Sequence, residues 1–506
     1  MVKRIAIIGG GVSGIAAANI FQKNGYTVTI YEKNERIGGV WAVAYPQVRL
    51  QNSWQQYGLS NFPWTFKPDL HPTGEQILHY MEDAVKSLNL DVRTSHEVIT
   101  LTQEPNGWQI QVKNPSGIET SSYDYVLLAS GQYTEGKNIL HFPDQDKFNG
   151  IIVTERDIKN LDIFKNKRVA VVGFGKSALD MATFAAEQKA EVHHIFREAR
   201  WTIPPKILGI HYSIPLFARF GSVMMTSWAH PSGIERFLHR RLKFIVAGFW
   251  RMLALVFGLQ ILSTGFGKSK EARQRLNMVK PKHALLPDLR SAIALAPKKY
   301  YRYVVDGKIQ PHHGNLAGFC ETGIRLEDNT IIACDVAVLS VGSKTPQFPY
   351  MPSPYRELLE KEEDGIQLYR HLIHPRIPNM GFAGFNHGFM HIPTVEVGTI
   401  WLCALLDGHL QLPSIEEMEA SIENIRQWKR DHIRYEPSRS MAVSTRYQQY
   451  LDILLKDLEL NPYRKGINVF GEMFMRYGSR DYRNILTEYQ QKITHPLSLD
   501  PLKLDT

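Results

Sequence analysis

The chain has 506 residues, which is more than one ordinary hydrophobic core accommodates, so at least two domains are expected. Its 43% apolar and 22% charged residues exclude a disordered protein. With 59 Lys and Arg against 50 Asp and Glu, the net charge of +9 suits an anionic cofactor or membrane surface, whereas no arginine-rich run or RNP-like aromatic strand points to nucleic acid.

The first predicted element is a strand that runs into a glycine-rich loop, "RIAIIGGGVSG" at residues 4–14. Gly9, Gly11 and Gly14 have the G-x-G-x-x-G spacing, a helix of small apolar residues follows, and a second strand ends at Glu32. The first glycine turns the chain, the second lets the backbone approach a pyrophosphate, and the third lets the helix pack on the strand. Because a carboxylate accepts hydrogen bonds from ribose hydroxyl groups, this unit is predicted to bind FAD or NAD.

A second unit of the same kind begins at "VVGFGKSALD", residues 171–180. Its Gly-Lys-Ser is typical of an ATP-binding P-loop, but that loop needs a glycine where this chain has Ala170. The spacing of Gly173, Gly175 and Ala178 instead predicts a dinucleotide-binding loop. The methyl group of Ala178, at the third glycine position, is expected to hold the helix slightly away from the strand.

The strand after this loop predicts which nucleotide the second unit takes. Arg197 follows that strand, at nearly the place that Glu32 has in the first unit. A guanidinium group favours a ribose 2′-phosphate, which a carboxylate would repel. NADP(H) is therefore predicted for this unit, with Arg200 and Lys176 as further positive charges nearby.

A largely apolar insert, residues 205–275, interrupts the second unit. Residues 244–262 form an apolar stretch of 19 residues, broken by Arg251 and Gln260 and long enough to cross a membrane. A charge at mid-membrane costs about 2.5–3.5 kcal/mol. Three interpretations stay open: peripheral membrane contact through residues 236–264, a lid over the active site, and a membrane span. The first two both favour a lipophilic substrate.

Several further segments complete a pattern that resembles the flavin-containing monooxygenase family, the class B flavoprotein monooxygenases. The segments are GGGVSG at 9–14, IGGVW at 37–41, QNSW at 51–54, ASG at 129–131, GFGKSALD at 173–180, SVGSKTPQFPYM at 340–351 and LYRHLIHPRIPNMGFAGFNHGFMHIPTVE at 368–396. The resemblance covers most of the chain, from about residue 3 to 205 and from 275 to 490.

The resemblance implies an α/β fold with two Rossmann-like dinucleotide-binding domains, the second inserted in the first. Residues 1–160 and 331–506 would form the FAD domain, and residues 161–330 the NADPH domain with its helical insert. By the same resemblance, NADPH would reduce FAD. Reduced flavin would then take up O2 as a C4a-(hydro)peroxide and pass one oxygen atom to a soft nucleophile of a small-molecule substrate.

The site residues also follow from the resemblance, and no catalytic triad or metal-ligand cluster stands out beside them. Asn52 is the catalytic candidate, because its amide matches the asparagine that the family has next to the reactive flavin edge. His387 and His391 share one loop. One of them is a candidate proton shuttle at the flavin, but such side chains more commonly hydrogen-bond the buried loop backbone, and that interpretation is preferred. The residues assigned to the two cofactors are Gly9, Gly11, Ser13, Gly14, Glu32, Lys33, Gly39, Val40, Trp41, Asn52, Ala129, Ser130, Gly131, Gly173, Gly175, Lys176, Ser177, Ala178, Arg197, Arg200, Gly342, Asn386 and His387.

The linker between the two nucleotide units departs from the family pattern. The family has a histidine and an aromatic residue where this chain has Thr154 and Ile158, so the Baeyer–Villiger fingerprint fails. Four hypotheses stay open. They are oxygenation of nitrogen or sulfur, Baeyer–Villiger oxygenation of a carbonyl, an NADPH oxidase or flavin reductase, and a non-catalytic redox-responsive binding protein.

The cysteines and the N-terminal residues predict the compartment. The three cysteines form no C-x-x-C pair, which argues against a disulfide framework, a zinc ribbon and a dithiol redox centre. "KRIAIIGGG" at residues 3–11 is typical of a buried strand and its loop rather than of a signal peptide. The cytoplasm is the expected location, with membrane association through the insert, and the oligomeric state stays open.

Overall fold

The computed structural model describes residues 3–132, 141–291, 293–386, 388–433, 443–466, 468–492 and 497–499. The strands are β1 (Arg4–Ile8), β2 (Thr27–Tyr31), β3 (Asp91–Arg93), β4 (Glu97–Glu104), β5 (Gly107–Asn114), β6 (Gly117–Tyr123), β7 (Tyr125–Leu128), β8 (Ile151–Val153), β9 (Arg168–Val172), β10 (Glu191–Phe196), β11 (Thr202–Ile203), β12 (Lys206–Ile207), β13 (Ile210–His211), β14 (Ala294–Leu295), β15 (Ile309–His313), β16 (Leu316–Cys320), β17 (Gly323–Leu326), β18 (Ile331–Ala333), β19 (Val336–Leu339), β20 (Met380–Phe382), β21 (Leu410–Gln411) and β22 (Leu497–Ser498). The helices are α1 (Val12–Lys23), α2 (Gly74–Ser87), α3 (Lys176–Glu187), α4 (Ser213–Leu216), α5 (Arg219–Val223), α6 (Gly233–Arg241), α7 (Lys243–Ser263), α8 (Lys270–Met278), α9 (Leu285–Ser291), α10 (Tyr300–Val305), α11 (Ser353–Glu360), α12 (His391–Leu406), α13 (Ile415–His432), α14 (Tyr447–Asp457), α15 (Val469–Phe474) and α16 (Ile485–Lys492).

Two five-stranded parallel sheets organise the chain. The spatial order is β20-β7-β1-β2-β3 in the first sheet and β15-β10-β9-β19-β8 in the second. The central strands read RIAII, YVLL and RVAVV and are almost entirely buried, as strands of a parallel sheet covered on both faces must be.

The two sheets repeat one another element by element. In the first, β1, α1, β2 and β3 precede an antiparallel meander, β4–β5–β6, and the return strand β7. In the second, β9, α3, β10 and β15 precede the meander β16–β17–β18 and the return strand β19. Strand β20 of the first sheet follows the whole second sheet in the chain. The expected fold, two Rossmann-like units with the second inserted in the first, is therefore confirmed.

The strand pairing bears on where the second unit begins and ends. Strand β8 and strand β19 both lie outside the range 161–330 expected for this unit, yet they belong to its sheet, because β19 pairs with β9 on one side and with β8 on the other. The domain boundaries themselves stay a prediction. The pairing moves the expected boundaries outward, to the residues just before β8 and just after β19.

The insert lies between β10 and β15 and contains α4 to α8. Among the helices that the structure describes, α7 is the one long and apolar enough to cross a membrane, and 28% of its apolar window is buried. The buried face of α7 carries Val246, Trp250, Phe257 and Ile261. The Trp250 indole N–H donates to the carbonyl of Met224 (2.9 Å), so this face packs on the protein, while the remaining residues of the helix are half-buried or exposed.

Candidate functional site

The first phosphate loop, residues 9–14, joins β1 to α1 by a turn that only glycine fits. Gly9 has φ +117°, and a Cβ there would lie 2.4 Å from the carbonyl oxygen of Ala129. A Cβ on Gly14 would lie 2.0 Å from the carbonyl oxygen of Gly9. Both predicted glycine roles, the turn and the close packing of the helix, therefore match the backbone geometry.

The second glycine of this loop faces the IGGVW segment. A Cβ on Gly11 would meet only Gly39, at 3.6 Å from its Cα, so little protein lies above the start of α1. Gly39, Val40 and Trp41 form a single 3₁₀ turn, and the Trp41 indole N–H donates to the hydroxyl of Tyr57 (2.8 Å). The segment thus lies beside the loop, where the sequence placed a cofactor contact.

Glu32 lies directly after β2 and is buried. Its Oε2 accepts from the backbone N–H of Gly10 (2.8 Å), and its Oε1 accepts from the backbone N–H (2.9 Å) and side-chain amide (2.7 Å) of Asn34. The carboxylate is therefore held against the phosphate loop. Lys33, the next residue, is exposed.

The return strand β7 delivers Ala129, Ser130 and Gly131 to the same end of the sheet. The N–H of Ala129 donates to the carbonyl of Ile8 (2.9 Å), which places the segment against the first turn of the loop. Gly131 has φ +87°, so the chain turns away there in a conformation that favours glycine. These three predicted residues and the loop are thus brought together.

The second phosphate loop repeats this backbone geometry around residues 173–178. Gly173 has φ +121°, and a Cβ there would lie 2.5 Å from the carbonyl oxygen of Ser340. A Cβ on Gly175 would meet nothing within 4 Å. Ala178 is fully buried at the third position. Ser177 lies in the first turn of α3, and Gly342, with φ +102°, ends the return segment as Gly131 does in the first unit.

The register of the second sheet shifts the comparison between Glu32 and Arg197 by one residue. Gly9 donates to the carbonyl of Tyr31 (2.8 Å) and Gly173 to that of Ile195 (2.9 Å), so Phe196 occupies the place of Glu32 and Arg197 that of Lys33. Phe196 is buried and packs edge-on against Phe174.

The two arginines predicted near the second loop differ in exposure. Arg197 is exposed and makes no hydrogen bond or ion pair with any residue that the structure describes, whereas Arg200 is half-buried. A guanidinium group without a protein partner is available to a ligand phosphate.

Lys176 is already engaged by the protein. Its Nζ lies 2.5 Å from Oδ1 of the buried Asp180, one turn along α3, and Asp180 also accepts from the hydroxyl of Tyr45 (2.7 Å). Sequence reasoning missed this cluster, although the four-residue spacing of the lysine and aspartate on a predicted helix was a usable signal. Tyr45 comes from the first unit and is buried in the core of the second.

Asn52 is buried in the QNSW segment, and its side-chain amide donates to the carbonyl of Phe389. Phe389 belongs to the loop between β20 and α12, so the asparagine joins the N-terminal and C-terminal parts of the first unit. In the same loop Asn386 is buried, and its Oδ1 has no hydrogen-bond partner within the described ranges. His387 lies outside the described residues.

Each phosphate loop also contacts one histidine, which is half-buried in the first unit and fully buried in the second. His391 Nε2 lies 2.9 Å from the hydroxyl of Ser13, and burial lowers the pKa of His391 to about 4. In the second unit His194 Nε2 donates to the carbonyl of Gly173 (2.7 Å), and burial lowers the pKa of His194 to about 4. Both rings are therefore neutral at pH 7. His391 was expected to be a loop residue that hydrogen-bonds the backbone; instead it begins α12 and contacts a side-chain hydroxyl of the phosphate loop.

The linker residues that depart from the family pattern have structural partners. The backbone N–H and hydroxyl of Thr154 donate to Oδ2 of Asp157 (2.8 and 2.7 Å), which closes a short turn. Ile158 is buried in the core of the second unit. Neither side chain supplies a titratable group at these two positions.

The first loop has the features that a flavin dinucleotide needs. The N–H groups of the first turn of α1 lack intrahelical partners, the glycines leave room above them, and Glu32 lies at the strand end where ribose hydroxyl groups bind. The second loop has the same backbone with an exposed guanidinium group instead. The residues present therefore fit two different dinucleotides.

Comparison with known proteins supports this description. One family model, described as pyridine nucleotide-disulphide oxidoreductase, matches residues 6–211, and another, flavin-binding monooxygenase-like, matches residues 297–467. A probable flavin-containing monooxygenase 1 of Arabidopsis thaliana is 29% identical over 95% of this chain and 96% of its own.

Two solved structures share the fold. The S-allyl-L-cysteine S-oxygenase from Allium sativum has a TM-score of 0.63 at 16% identity, covering 97% of this chain and 94% of its own. An oxidized steroid monooxygenase bound to NADP has a TM-score of 0.62 at 18% identity, covering 98% and 99%. At these identities the likeness shows the fold alone.

Two dinucleotide units in one chain, matched by a flavin-binding and a pyridine-nucleotide family model, define a flavoprotein oxidoreductase. More narrowly, residues 297–467 match the flavin-binding monooxygenase-like family model, and most of the chain is similar to flavin-containing monooxygenases. It is a monooxygenase of that class with FAD and NADP(H) as cofactors, which confirms the cofactors and the enzyme class expected from the sequence.

Proposed function

We propose that the chain uses NADPH and O2 to place one oxygen atom on a nitrogen or sulfur centre of a lipophilic small molecule. The balanced reaction consumes substrate, O2, NADPH and one proton, and it yields the oxygenated product, water and NADP⁺. The observation that carries the proposal is the pair of matched phosphate loops in one chain, of which one presents Glu32 and the other Arg197.

The first unit is proposed to hold FAD. Gly11 and Gly39 leave space at the N-terminus of α1 for the pyrophosphate, and Glu32 accepts from ribose hydroxyl groups. Bound FAD supplies the electron transfer and oxygen activation. Asn52, held by the carbonyl of Phe389, presents its amide to the reacting edge, and the insert excludes water.

The second unit is proposed to hold NADPH. Gly175 allows a close approach of the pyrophosphate, because a Cβ there would meet no protein atom within 4 Å. Phe196 stands where the first unit has Glu32, so no carboxylate repels the 2′-phosphate there. The exposed Arg197 pairs with that phosphate. We propose the two sheets as the two domains, with boundaries just outside β8 and β19.

The nitrogen or sulfur substrate is preferred over a carbonyl because of the linker. Thr154 and Ile158 stand where a Baeyer–Villiger enzyme has histidine and tryptophan, and here they close a turn and fill the core. The same two residues favour one second candidate, an NADPH oxidase. The substitution removes side chains that the family uses in handling NADP.

A stopped-flow experiment separates these candidates. The holoenzyme is reduced with NADPH and mixed with O2, and both the flavin absorption and the H2O2 formed are followed. A delay before the oxidised-flavin absorption returns, with H2O2 released only as that absorption returns, supports oxygenation. Immediate return with one H2O2 per NADPH supports the oxidase and contradicts our proposal. Failure of NADPH to bleach the flavin would identify a binding protein.

We further propose that the insert lies on an anionic membrane surface. The outer face of α7 exposes Phe244, Met252, Leu255 and Leu259, which are 54–71% exposed and follow one stripe of the helix. Basic residues at 240, 241 and 243, all exposed, precede this stripe in the chain, at the end of α6 and the start of α7. Because the opposite face packs on the protein, surface contact explains α7 better than a span does.

Vesicle binding tests the membrane proposal. Replacing Met252, Leu255 and Leu259 together by glutamine should abolish co-sedimentation with phosphatidylcholine–phosphatidylserine vesicles. The control replaces Ile118 and Ile331, two equally exposed apolar residues on the meanders, in the same way. If the control loses binding equally, or if wild type does not bind, the membrane proposal is wrong.

A further inference from the structure

The QNSW segment is held by two aromatic rings that no motif of the chain predicts. The hydroxyl of Tyr212 donates to the backbone carbonyl of Gln51, and Nδ1 of His71 donates to the backbone carbonyl of Asn52 (3.0 Å). Two adjacent carbonyl groups are therefore each bonded by a ring donor. A backbone segment tied at consecutive residues has little freedom to rotate.

The two rings support one another. His71 and Tyr212 stack with their planes 10° apart and their centroids 6.0 Å apart. Burial lowers the pKa of His71 and raises the pKa of Tyr212, so the imidazole is neutral and the phenol stays protonated as a donor near pH 7. Because a carbonyl oxygen can only accept, the neutral imidazole carries its proton on Nδ1.

Tyr212 belongs to the insert, which makes the contact a connection between two regions. The preceding hairpin of β12 and β13 turns at Leu208 and Gly209, both with positive φ (+49° and +87°), and it exposes Leu208. Helix α7 is tied to the same hairpin, because the Gln260 amide donates to the carbonyl of Lys206 (2.8 Å). A continuous set of bonds thus runs from α7 to Gln51.

We propose that Tyr212 and His71 are positioning residues for Asn52, through which the insert sets the orientation of that amide at the flavin edge. The inference rests on the proposed function, because it takes Asn52 as the group beside the reacting centre. Tyr212 touches no reacting atom; it acts through the carbonyl of Gln51. Its loss should leave the cofactors bound and loosen the segment at residues 49–54.

The chain offers a matched control. The hydroxyl of Tyr447, a residue as buried as Tyr212, donates to the carbonyl of Leu216 in the insert (3.0 Å), and this bond does not touch the QNSW segment. Tyr212→Phe and Tyr447→Phe therefore remove the same kind of bond from the same region. A merely structural role predicts the same result for both variants.

Hydrogen–deuterium exchange of the FAD-loaded protein is the first test. Tyr212→Phe should raise the exchange rate of residues 49–54 about tenfold, a change that corresponds to the loss of roughly one hydrogen bond. Tyr447→Phe should leave it at the wild-type rate. His71→Phe, which keeps a stacking ring, should raise it as Tyr212→Phe does. Unchanged exchange in Tyr212→Phe, or an equal rise in Tyr447→Phe, overturns the proposal.

The second test links the segment to the chemistry. Tyr212→Phe should at least double the rate at which H2O2 is released after the reduced flavin meets O2, with an unchanged rate of flavin reduction, whereas Tyr447→Phe should match wild type. Altered exchange with unchanged H2O2 would overturn a role toward the flavin edge. Failure of wild type to be reduced by NADPH would contradict the proposed function, yet the exchange measurement would still decide whether the insert holds the segment.

Discussion

The two phosphate loops, residues 9–14 and 173–178, make equivalent backbone hydrogen bonds in their own units but pack differently against the helices that follow them. In the first, Gly14 lies so close to Gly9 that no side chain fits, whereas the second accommodates the buried methyl group of Ala178. The first is bonded to a carboxylate, and the second has Phe174 and Phe196 instead. One backbone design therefore serves two ligands through the few side chains that surround it.

The largest expected effect tests the packing side of this comparison. Gly14→Ala places a Cβ 2.0 Å from the carbonyl oxygen of Gly9, which forces α1 away from β1 and costs about 1–3 kcal/mol. We expect the purified variant to contain almost no FAD, measured as flavin absorption per chain. The matched change Ala178→Gly should keep NADPH-dependent flavin reduction, and a loss of FAD there would show that the two loops are not independent.

The next effect tests the charge side. Arg197→Ala should raise the KM for NADPH by roughly 10–100-fold, because a charge-assisted hydrogen bond contributes about 1.5–3 kcal/mol. The KM for NADH should stay within twofold of the wild-type value, so the preference of the enzyme for NADPH over NADH should become smaller. Lys33→Ala, the change at the equivalent place of the first unit, should affect neither constant. If Arg197→Ala prefers NADPH over NADH as strongly as wild type does, Arg197 does not bind the 2′-phosphate and our assignment is wrong.

The sequence predicts those features of the two loops that neighbouring residues in the chain determine. The glycine spacing, the strand–helix–strand order and Glu32 are determined within some thirty residues, and the structure has them where the pattern placed them. The one-residue shift that pairs Arg197 with Lys33 is visible in the spacing, because Glu32 follows Gly9 by 23 residues and Arg197 follows Gly173 by 24. The sheet register is what shows that the extra residue lies after the strand and places Phe196 at the position equivalent to Glu32.

Contacts between distant residues were beyond sequence reasoning. Tyr45 and Asp180 lie 135 positions apart, and Tyr212 and Gln51 lie 161 apart, without any shared motif. Composition likewise identified α7 as apolar, but which face is packed is determined by neighbours such as Met224. The site's ligand-facing backbone could therefore be predicted, whereas the contacts that hold its parts together could not.

A smaller effect concerns acid. His391 and His194 have pKa values lowered to about 4 from 6.5, so each stabilises the folded state fully above pH 6.5 and loses that contribution as the pH falls toward 4. His391→Gln should reduce acid-induced FAD release, and His194→Gln acid-induced loss of NADP⁺ binding. Glu396, whose pKa burial raises to about 7, acts in the opposite direction, so each variant is compared with wild type at every pH.

Two measurements between pH 4 and 6.5 test these expectations. Thermal unfolding followed by flavin fluorescence reports FAD release, and NADP⁺ titration reports NADP⁺ binding. If His391→Gln instead changed NADP⁺ binding and His194→Gln changed FAD release, the assignment of one histidine to each loop would be wrong. Parallel changes in both variants would show that the two units unfold together in acid.

The smallest effect concerns what joins the two units. Tyr45→Phe removes one donor from Asp180 while Lys176 keeps its ion pair, so stability should fall by only about 0.5–1.5 kcal/mol. Because Tyr45 is a buried residue by which the first unit enters the core of the second, flavin reduction by NADPH should slow two- to fivefold with unchanged NADP⁺ affinity. Tyr489→Phe removes a similar bond to Asp407 within the first unit, and it should lower stability without slowing reduction. If flavin reduction slows equally in both variants, Tyr45 contributes only to stability, and other residues hold the two phosphate loops in their relative position.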